Sequence, residues 1–497
     1  MTYQTLEAAP RLTGILAGLN AQEGLLIGGT MRAASDCGCF DVADPACGEP
    51  FATVANATVE DARAAADAAA AALPAWSAMA PRQRGELLRS LFSLMIDNED
   101  DLATLISAEN GKSLDDALGE VRYAAEFFRW FSEEAVRTEG GFGPAPAGGT
   151  RTLVTHRPIG VVAMVTPWNF PAAMATRKIA PALAAGCTVV LKPASLTPLT
   201  AIALGRLIER AGVPAGVVNI LPSTRSAKIS TIWLEDSRVR AVSFTGSTQV
   251  GRTLMRQAAD KVLVSSMELG GNAPFIVAPD ADLDAAVAGA MQAKFRGTGE
   301  ACTAANRFYV HTDVHDAFVD RLARAVRALR VGPALGPEGC EIGPLVTVRA
   351  RDAISALVER AVVAGARVSA RSACPAGPGA FLPATVLAGV APDAEIVRTE
   401  IFGPVAPVVA WEDEEQMLGW ANGTDAGLAA YVFSEDLRWA MRLAERLEFG
   451  MVGINRGLVS DPAAPFGGLK ESGIGREGAR EGVREFQETQ YWSIAWD

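Results

Sequence analysis

The sequence has no long apolar run and no excess of basic side chains. Its longest apolar stretches, such as GVVAMV and CTVVL, are far short of the ~20 residues that a membrane-spanning helix needs. With 57 acidic and 45 basic side chains, the formal net charge is −12. Nucleic-acid binding depends on clustered Lys and Arg that neutralise phosphates. We therefore expect no membrane span and no nucleic-acid partner, and an anionic ligand would need a local basic pocket.

Histidine is scarce, and the cysteines lack a metal-binding spacing. Of the histidines His156, His311 and His315, the last two lie in HTDVHDAFVD, which lacks the Glu of the zinc motif HExxH and reads as a strand end leading into a helix. The seven cysteines form an odd set without a CxxC pair, which is typical of free thiols in a reducing compartment. We expect no metal, and a nucleophile whose base is not histidine.

The length of 497 residues predicts roughly two to four folded domains. The first residues, MTYQTLEAAPRLTG, have no basic start followed by an apolar block, so no signal peptide is expected. The predicted location is the cytoplasm.

The order of the predicted elements indicates an α/β protein. Apolar residues recur at spacings of three and four from about 59 to 139, which predicts amphipathic helices. GGFGPAPAGGT then reads as a connector and RTLVTHRPIG as an exposed hairpin. From 159 to 276 short apolar strands alternate with helices, and a second such series runs from 275 to about 452. This alternation predicts a doubly wound sheet that binds ligands at the carboxyl ends of its strands, followed by a second α/β domain.

Two segments resemble phosphate-binding loops. GIGREG, Gly473 to Gly478, matches GxGxxG, but it lies near the C-terminus after PFGGLKES and not between a strand and a helix, so we interpret it as a false match. In SFTGSTQVGR a strand ends at Thr245-Gly246-Ser247 and a helix begins, as phosphate binding requires. A simple N-cap at Ser247 explains this second pattern equally well.

Three further motifs contain side chains suited to carbonyl chemistry. TPWNFP follows a strand and contains Asn169, either a turn residue or an amide donor to developing negative charge. MELGGNAPF places Glu268 at a strand end, either solvated or paired there, or desolvated as a base. FRGTGEACTAANRFYV sets Cys302 among small residues between a helix and a strand. Together with a phosphate-binding helix start, these groups favour aldehyde oxidation with a nicotinamide cofactor.

These motifs, together with GCTVVLKPA, EIFGPVAP and PFGGLKESGIGREG, resemble the aldehyde dehydrogenase superfamily in order and spacing over nearly the whole chain. The resemblance implies that Cys302 forms a thiohemiacetal and then a thioester, which water activated by Glu268 hydrolyses. Asn169 and the Cys302 backbone N–H would hold the oxyanion, and Lys178 and Glu477 would complete a proton path. Because a free thiol has a pKa of about 8.5, the site must favour the thiolate or let Glu268 remove the proton.

The resemblance also implies a set of contacts to the cofactor. They would be made by Thr166, Trp168, Lys192, Ser195, Gly246, Ser247, Leu269, Glu400 and Phe402. Members that prefer NAD often have a Glu at the position of Ser195, where it would repel a 2′-phosphate. Neutral Ser195 beside Lys192 therefore predicts NADP as the preferred cofactor, with NAD also accepted. PSTRSAKIS replaces the Gly-rich turn of many members, and its Arg225 and Lys228 are further candidates for binding a 2′-phosphate.

Within the superfamily the chain is most similar to the succinate-semialdehyde dehydrogenases, through WNFPAAMATRK, KFRGTGEAC and GINRGLVS. Arg177, Arg296 and Ser460 match the residues that hold the substrate carboxylate in that group, although structural ion pairs would explain both arginines equally well. Arg456 stands where a small polar residue is expected, which favours another or longer anionic aldehyde, such as glutarate semialdehyde or a sulfo- or phosphono-aldehyde. Ala304 replaces the second cysteine of some relatives, so no disulfide switch is expected.

The family architecture implies two doubly wound α/β domains and a small β oligomerisation element. The cofactor domain would cover 1–140 and 159–269, the catalytic domain 270–475, and the oligomerisation element 141–158 and 476–497. The expected protein is a homodimer or homotetramer that oxidises succinate semialdehyde to succinate with NAD(P). A catalytically idle binding or structural protein of the same fold is the alternative, and the joint presence of the nucleophile, base and amide argues against it.

Overall fold

The computed structural model describes residues 10–496. Residues 1–9, where no signal peptide is expected and where the predicted cofactor domain starts, lie outside the described residues, as does residue 497 of the predicted oligomerisation element. The helices are α1 (Pro10–Leu19), α2 (Val59–Ala78), α3 (Pro81–Asp97), α4 (Glu99–Asn110), α5 (Leu114–Glu134), α6 (Pro171–Ala185), α7 (Leu199–Arg210), α8 (Ser226–Glu235), α9 (Thr248–Ala259), α10 (Leu283–Phe295), α11 (Thr312–Arg327), α12 (Val348–Val363), α13 (Glu395–Arg398), α14 (Glu414–Asn422), α15 (Leu437–Arg446) and α16 (Glu481–Arg484).

The strands are β1 (Leu25–Ile27), β2 (Thr30–Arg32), β3 (Cys39–Ala43), β4 (Pro50–Ala55), β5 (Gly140–Pro144), β6 (Thr150–Pro158), β7 (Val161–Val165), β8 (Thr188–Lys192), β9 (Val218–Ile220), β10 (Val239–Thr245), β11 (Val264–Glu268), β12 (Ala273–Val277), β13 (Ala305–His311), β14 (Arg367–Arg371), β15 (Thr385–Ala388), β16 (Val405–Trp411), β17 (Ala426–Gly427), β18 (Ala429–Phe433), β19 (Met451–Ile454), β20 (Leu469–Lys470), β21 (Gly473–Ile474) and β22 (Gln487–Ala495). No helix within 10–496 is both long and apolar enough to span a membrane.

The first sheet has the strand order β2-β1-β9-β8-β7-β10-β11-β21. Its central strands from β9 to β11 are parallel, and β1 and β21 join them antiparallel at the two sides. The chain passes outward from β7 through β8 to β9, and then crosses to β10 and β11 on the other side of β7. The strand order therefore reverses between β7 and β10, which is where doubly wound sheets bind ligands. The predicted α/β fold is confirmed.

Helices cover both faces of this sheet because alternate strand residues point to opposite sides. Val162 and Met164 of β7 join the core beneath α3 to α7, whereas Val161 and Ala163 pack toward α2 and α8. Helix α8 begins within PSTRSAKIS, the segment that replaces the Gly-rich turn of many family members. Its Trp233 is buried against α2 and donates its indole N–H to the Ala62 carbonyl at 2.9 Å.

The second sheet has the order β14-β15-β16-β13-β12-β18-β19, and all its pairs except β14 with β15 are parallel. Phe275 at its centre stacks on Phe433 with ring centroids 4.8 Å apart and lies 5.1 Å from Phe308. Apolar cores cover both faces. Cys302, the predicted nucleophile, lies in the loop that leads from α10 to β13 of this sheet.

A third sheet has the order β22-β6-β5 and is antiparallel. Strand β6 pairs along its whole length with β22, from Thr150↔Ala495 to Pro158↔Gln487. Two expectations were wrong here: RTLVTHRP is one strand and not a hairpin, and the glycine-rich connector contains strand β5. The glycines permit this pairing because a side chain at Gly140 would lie 2.8 Å from the Val154 carbonyl oxygen. Strand β21 lies within 270–475, the range predicted for the catalytic domain, but it forms an edge of the first sheet. The division into domains stays a prediction.

Candidate active site

The candidate site lies where the carboxyl ends of β7, β8, β10 and β11 face the second sheet. Cys302 is partly accessible in the loop before β13. A side chain at Gly271, in the link from β11 to β12, would collide with the Cys302 carbonyl oxygen. Glycine at 271 therefore lets the link between β11 and β12 pack closely against the loop of Cys302.

The loop that carries Cys302 is held in an unusual backbone conformation. Gly297, Thr298 and Gly299 have φ angles of 56°, 58° and 74°, in the left-handed region that a threonine rarely adopts. A side chain at Gly299 would lie 2.5 Å from the Gly403 carbonyl oxygen. Burial raises the pKa of Cys302 to about 12 against the opposing charge of Arg177. The thiol is therefore protonated at neutral pH and needs a base.

Asn169 is directed at the nucleophile loop and is not a solvated turn residue. It follows β7, its side chain is buried, and its Nδ2 donates to the Glu300 carbonyl at 2.9 Å. An amide nitrogen carries two hydrogens, so one N–H remains after this bond. The hydrogen bond fixes the Asn169 amide at Glu300, two residues before Cys302 in the sequence. This arrangement suits an oxyanion donor.

Glu268 ends β11 and is 2% exposed. Neither of its carboxyl oxygens has a hydrogen-bond partner among residues 10–496. Burial and the negative charge of Glu477 raise the pKa of Glu268 well above its ordinary value, although Arg177 and Lys178 oppose the shift. A buried carboxyl without a partner, whose pKa is raised, is typical of a general base.

Glu477 forms ion pairs with two consecutive residues of α6. Its Oε1 lies 2.5 Å from Lys178 Nζ, and its Oε2 lies 2.6 Å from Arg177 Nε. Lys178 also donates to the Ser243 hydroxyl at 3.0 Å. Although burial acts in the opposite direction, these cations lower the pKa of Glu477. The pKa values of the two neighbouring carboxyl groups are therefore shifted in opposite directions, that of Glu477 downward and that of Glu268 upward.

The three predicted substrate residues differ in their surroundings. Arg177 is 1% exposed, and its guanidinium lies 4.0 Å from the ring centroid of Phe466. Arg296 is partly exposed, its Nε has no acceptor in the described chain, and its guanidinium lies 5.5 Å from the ring of Phe170. Ser460 is partly exposed. Arg177 thus forms an ion pair with Glu477, as the ion-pair alternative predicted. Arg296 has no such partner for its Nε among the described residues.

The predicted nicotinamide end is lined by residues from both sheets. Trp168 and Phe402 meet edge to face with centroids 5.5 Å apart. Glu400 accepts from the Gly271 N–H at 3.0 Å, and burial raises the pKa of Glu400 to about 7. A side chain at Gly270 would lie 2.8 Å from a Glu400 oxygen. The backbone can pack against Glu400 and Cys302 here because both positions before Asn272 are glycine.

The predicted adenosine end contains unpaired polar atoms. Lys192 ends β8, is 3% exposed and has no acceptor anywhere in residues 10–496, and burial lowers the pKa of its amine to about 8. The Thr245 hydroxyl is buried without a partner. Ser247 stands at the N-cap of α9, but its hydroxyl caps no backbone N–H. These free donors, together with the start of a helix, suit the phosphates and ribose of a dinucleotide.

The remaining cofactor candidates form the walls around these groups. Thr166 donates its backbone N–H to the Lys192 carbonyl at 3.2 Å, and Leu269 donates its own to the Ser472 carbonyl at 2.9 Å. Gly246 has room only for hydrogen, since a side chain there would lie 2.5 Å from the Phe244 ring. Ser195 is half-buried.

The two further candidates for binding a 2′-phosphate, Arg225 and Lys228, lie at the start of α8 and have different surroundings. Arg225 pairs with Asp36 at 3.0 Å, and Lys228 is exposed on α8. Both follow β9, which is next to the strand that ends at Lys192. Gly473 of the false GxGxxG match lies in β21, where a side chain would collide with the Met267 carbonyl oxygen.

Sequence reasoning missed Lys112 and Glu120, whose side chains contact the loop of Asn169. Both charged groups are buried. The available signal was the position of Glu120 on the apolar face of α5, between Ala117 and Val121, where a carboxylate requires a partner.

The known proteins that the chain resembles are all aldehyde or semialdehyde dehydrogenases in the examples that follow. The sequence profile of the aldehyde dehydrogenase family matches residues 31–492. The chain is 53% identical to a succinate-semialdehyde dehydrogenase of Paenarthrobacter nicotinovorans, over 90% of this chain and 99% of the relative. It is 46% identical to the NADP(+) succinate-semialdehyde dehydrogenase GabD of Escherichia coli, over 94% and 97%. It is 47% identical to a glutarate-semialdehyde dehydrogenase of Pseudomonas putida, over 91% and 94%. The crystal structure of an aldehyde dehydrogenase from Brucella melitensis biovar abortus superposes with a TM-score of 0.94 at 46% identity, covering 97% of this chain and 98% of the other.

Proposed function

The chain belongs to the aldehyde dehydrogenase family, and from this membership we propose that it oxidises succinate semialdehyde to succinate, with NADP preferred and NAD also accepted. The observation that carries the substrate assignment is the pair of arginines beside the nucleophile. Burial raises the pKa of the Tyr123 hydroxyl, and the charges of Arg177 and Arg296 both oppose that shift. The charge of Arg177 also acts on Cys302. Arg177 acts on the thiol and both arginines act on Tyr123, an arrangement of two cations that suits an aldehyde whose far end is a carboxylate.

In the proposed first step the Cys302 sulfur attacks the aldehyde carbon while the thiol proton passes to Glu268. The C–S bond forms and the carbonyl oxygen becomes an oxyanion, which accepts hydrogen bonds from Asn169 and from the Cys302 backbone N–H. A bound nicotinamide cofactor would supply the acceptor for the hydride that leaves this carbon. The oxyanion then re-forms its carbonyl, and Cys302 carries a thioester.

In the second step Glu268, after giving up its proton, takes one from a water molecule that attacks the thioester carbon. The C–S bond breaks, the carboxylic acid leaves, and Cys302 regains a thiolate or thiol. Lys178 and Glu477 would carry the surplus proton away. The sum is aldehyde, water and oxidised cofactor giving acid, reduced cofactor and a proton.

The preference for NADP rests on the adenosine end. Lys192 is buried without an acceptor in the described residues, and Ser195 beside it is neutral. A 2′-phosphate would supply the missing acceptor and meet no carboxylate there. The name of the Escherichia coli relative, which includes NADP(+), supports the same preference.

A second candidate substrate is glutarate semialdehyde. Arg456 is exposed and has no acceptor within residues 10–496, and the Pseudomonas putida relative is named for this substrate. The deciding experiment compares kcat/KM for succinate semialdehyde, glutarate semialdehyde and uncharged butanal with NADP and NAD. The proposal expects succinate semialdehyde with NADP to be highest. Equal values for butanal would contradict it, and a higher value for glutarate semialdehyde would favour the second candidate.

We also propose a homodimer or homotetramer in the cytoplasm. The edge strands of the third sheet and its exposed aromatic side chains, Phe142, Tyr491, Trp492 and Trp496, suit burial by another subunit. The seven free thiols suit a reducing compartment. Light scattering on the purified protein tests the assembly, and a monomer at micromolar concentration would contradict it.

A further inference from the structure

A buried ion pair in the N-terminal helices holds the loop that carries Asn169. Lys112 lies between α4 and α5 and is 2% exposed. Its Nζ donates to the Asn169 carbonyl at 2.5 Å and to Glu120 Oε2 at 2.7 Å, and it lies 4.0 Å from the ring centroid of Phe170. One ammonium group therefore contacts both the loop and the face of α5.

Glu120 holds the other end of the same loop. Its Oε1 accepts from the backbone N–H of Ala172 at 2.9 Å and of Ala173 at 3.3 Å, in the first turn of α6. These donors have no partner within the helix, and the helix dipole favours a carboxylate there. The Lys112–Glu120 pair thus fixes the backbone on both sides of Phe170, at Asn169 and at the first turn of α6.

The same segment also contacts the loop of the nucleophile. Asp116, on the first turn of α5, accepts from the Gly297 N–H at 2.8 Å. Asn110, at the end of α4, donates to the Trp168 carbonyl at 3.3 Å. Residues 110–120 therefore hold the loop of the oxyanion donor and the loop of Cys302 in one frame.

Stability alone is a weak reason for such a pair. Taking two charges out of water costs free energy, and replacing a buried pair with apolar groups of similar size is often neutral or stabilising. Oxyanion donors, in contrast, lose much of their effect when displaced by about 1 Å. Within the described residues Asn169 Nδ2 is bonded only to the Glu300 carbonyl, so the position of its other N–H depends on its own backbone.

We propose that Lys112 and Glu120 are positioning residues that fix the Asn169 amide for the oxyanion through the hydrogen bonds from Lys112 to the Asn169 carbonyl and from α6 to Glu120. This inference rests on the proposed function, since it requires Asn169 to act on an oxyanion. Both side chains are buried, and their hydrogen bonds go to each other, to the Asn169 carbonyl and to the first turn of α6.

The test uses the K112M/E120Q double variant, which removes both charges together and keeps an amide oxygen for the first turn of α6. In the full-length protein kcat for succinate semialdehyde is expected to fall about tenfold or more, with KM changed less than about threefold, because the lost contact acts in the transition state. K112M alone and K112R are measured beside it, and K112R is expected to recover most of kcat because a guanidinium can donate to the same carbonyl.

The decisive readout is the same double change in an N169A background. If the pair acts through Asn169, K112M/E120Q lowers the kcat of N169A less than about twofold. A matched control is R84M, because buried Arg84 also donates to backbone carbonyls, including Ala184 at 3.2 Å at the far end of α6. R84M is expected to lower Tm and leave kcat unchanged.

The possible results distinguish a failure of the positioning role from a failure of the proposed function. An unchanged kcat in K112M/E120Q, or an equal loss in the wild-type and N169A backgrounds, overturns the positioning role while leaving the proposed function intact. A kcat loss in R84M as large as in K112M/E120Q also overturns it, since the effect would then follow helix stability. Full activity of N169A would overturn the proposed oxyanion role and this inference together.

Discussion

Arg177 Nε lies 2.6 Å from Glu477 Oε2, so the arginine expected to hold the carboxylate of the substrate is already paired with a carboxylate of the protein. The same carboxylate binds Lys178, the next residue of α6, through its other oxygen. An anionic substrate would therefore bind an Arg177 whose charge Glu477 already partly neutralises, through N–H groups other than Nε. The proposed substrate site and the proposed proton path therefore share one ion pair.

Glu477→Gln is expected to lower KM for succinate semialdehyde by about threefold or more, because Arg177 loses its competing charge. The kcat value should fall at the same time, because the proton path loses its ionised carboxylate. The measurement is steady-state kinetics with succinate semialdehyde and with butanal. A KM decrease of equal size for butanal would contradict competition at Arg177.

Arg177→Met and Arg296→Met test the two cations separately. Each is expected to lower kcat/KM for succinate semialdehyde about tenfold or more, mainly through KM, with little effect on butanal. Arg177→Met should also lower Tm, because it leaves Glu477 buried with one fewer cation, whereas partly exposed Arg296 leaves no buried charge behind. Equal losses for the two aldehydes would refute the assignment of the carboxylate site.

Glu268 should make the rate rise with pH. The base must be ionised, and burial together with the charge of Glu477 raises the pKa of Glu268, so the ionised fraction increases as pH rises through that pKa. Glu477→Gln removes one of these causes and should move the rising limb of the kcat–pH profile to lower pH. A limb that moves to higher pH would contradict this coupling.

Glu268→Gln should be more stable than the wild type in alkaline buffer. Because the pKa of Glu268 is raised in the folded state, the folded protein binds more protons than the unfolded chain between the two pKa values, and stability falls as pH rises there. Glutamine does not titrate, so the Tm advantage of the variant should be larger at pH 8 than at pH 5. A Tm advantage of Glu268→Gln that does not grow with pH would refute this prediction. Lys294→Met, which removes another buried titrating group, serves as the comparison variant for the pH dependence of Tm.

Ser195→Glu tests the adenosine end. The new carboxylate beside Lys192 should lower kcat/KM with NADP about tenfold or more through repulsion of the 2′-phosphate, while NAD is affected less. Ser195→Gln, of similar size and without charge, is the control. Equal losses with both cofactors in the glutamate variant would point to crowding and not to charge.

Local patterns predicted much of this molecule. Alternating strands and helices gave the doubly wound sheet, because buried parallel strands read as continuous apolar runs. The motifs around Asn169, Glu268 and Cys302 were recognisable because each lies at the end or start of a short apolar strand, and those of Glu268 and Cys302 also contain glycines. The contact of Lys112 with the Asn169 carbonyl joins residues 57 positions apart, and no local pattern encodes such a distance. Strand β5 was missed for a related reason, since its glycines become a strand only beside β6.

The pairing of β21 with β11 has a consequence for biosynthesis. Gly473 and Ile474 lie against Glu268 and Met267, and Glu477 follows three residues later. A nascent chain that ends before Gly473 already contains Cys302 and Asn169 but lacks the carboxylate that pairs with Arg177 and Lys178. Cys302 and the proposed base Glu268 are thus synthesised before Glu477, and under the proposed mechanism the site is complete only when β21 has paired with β11.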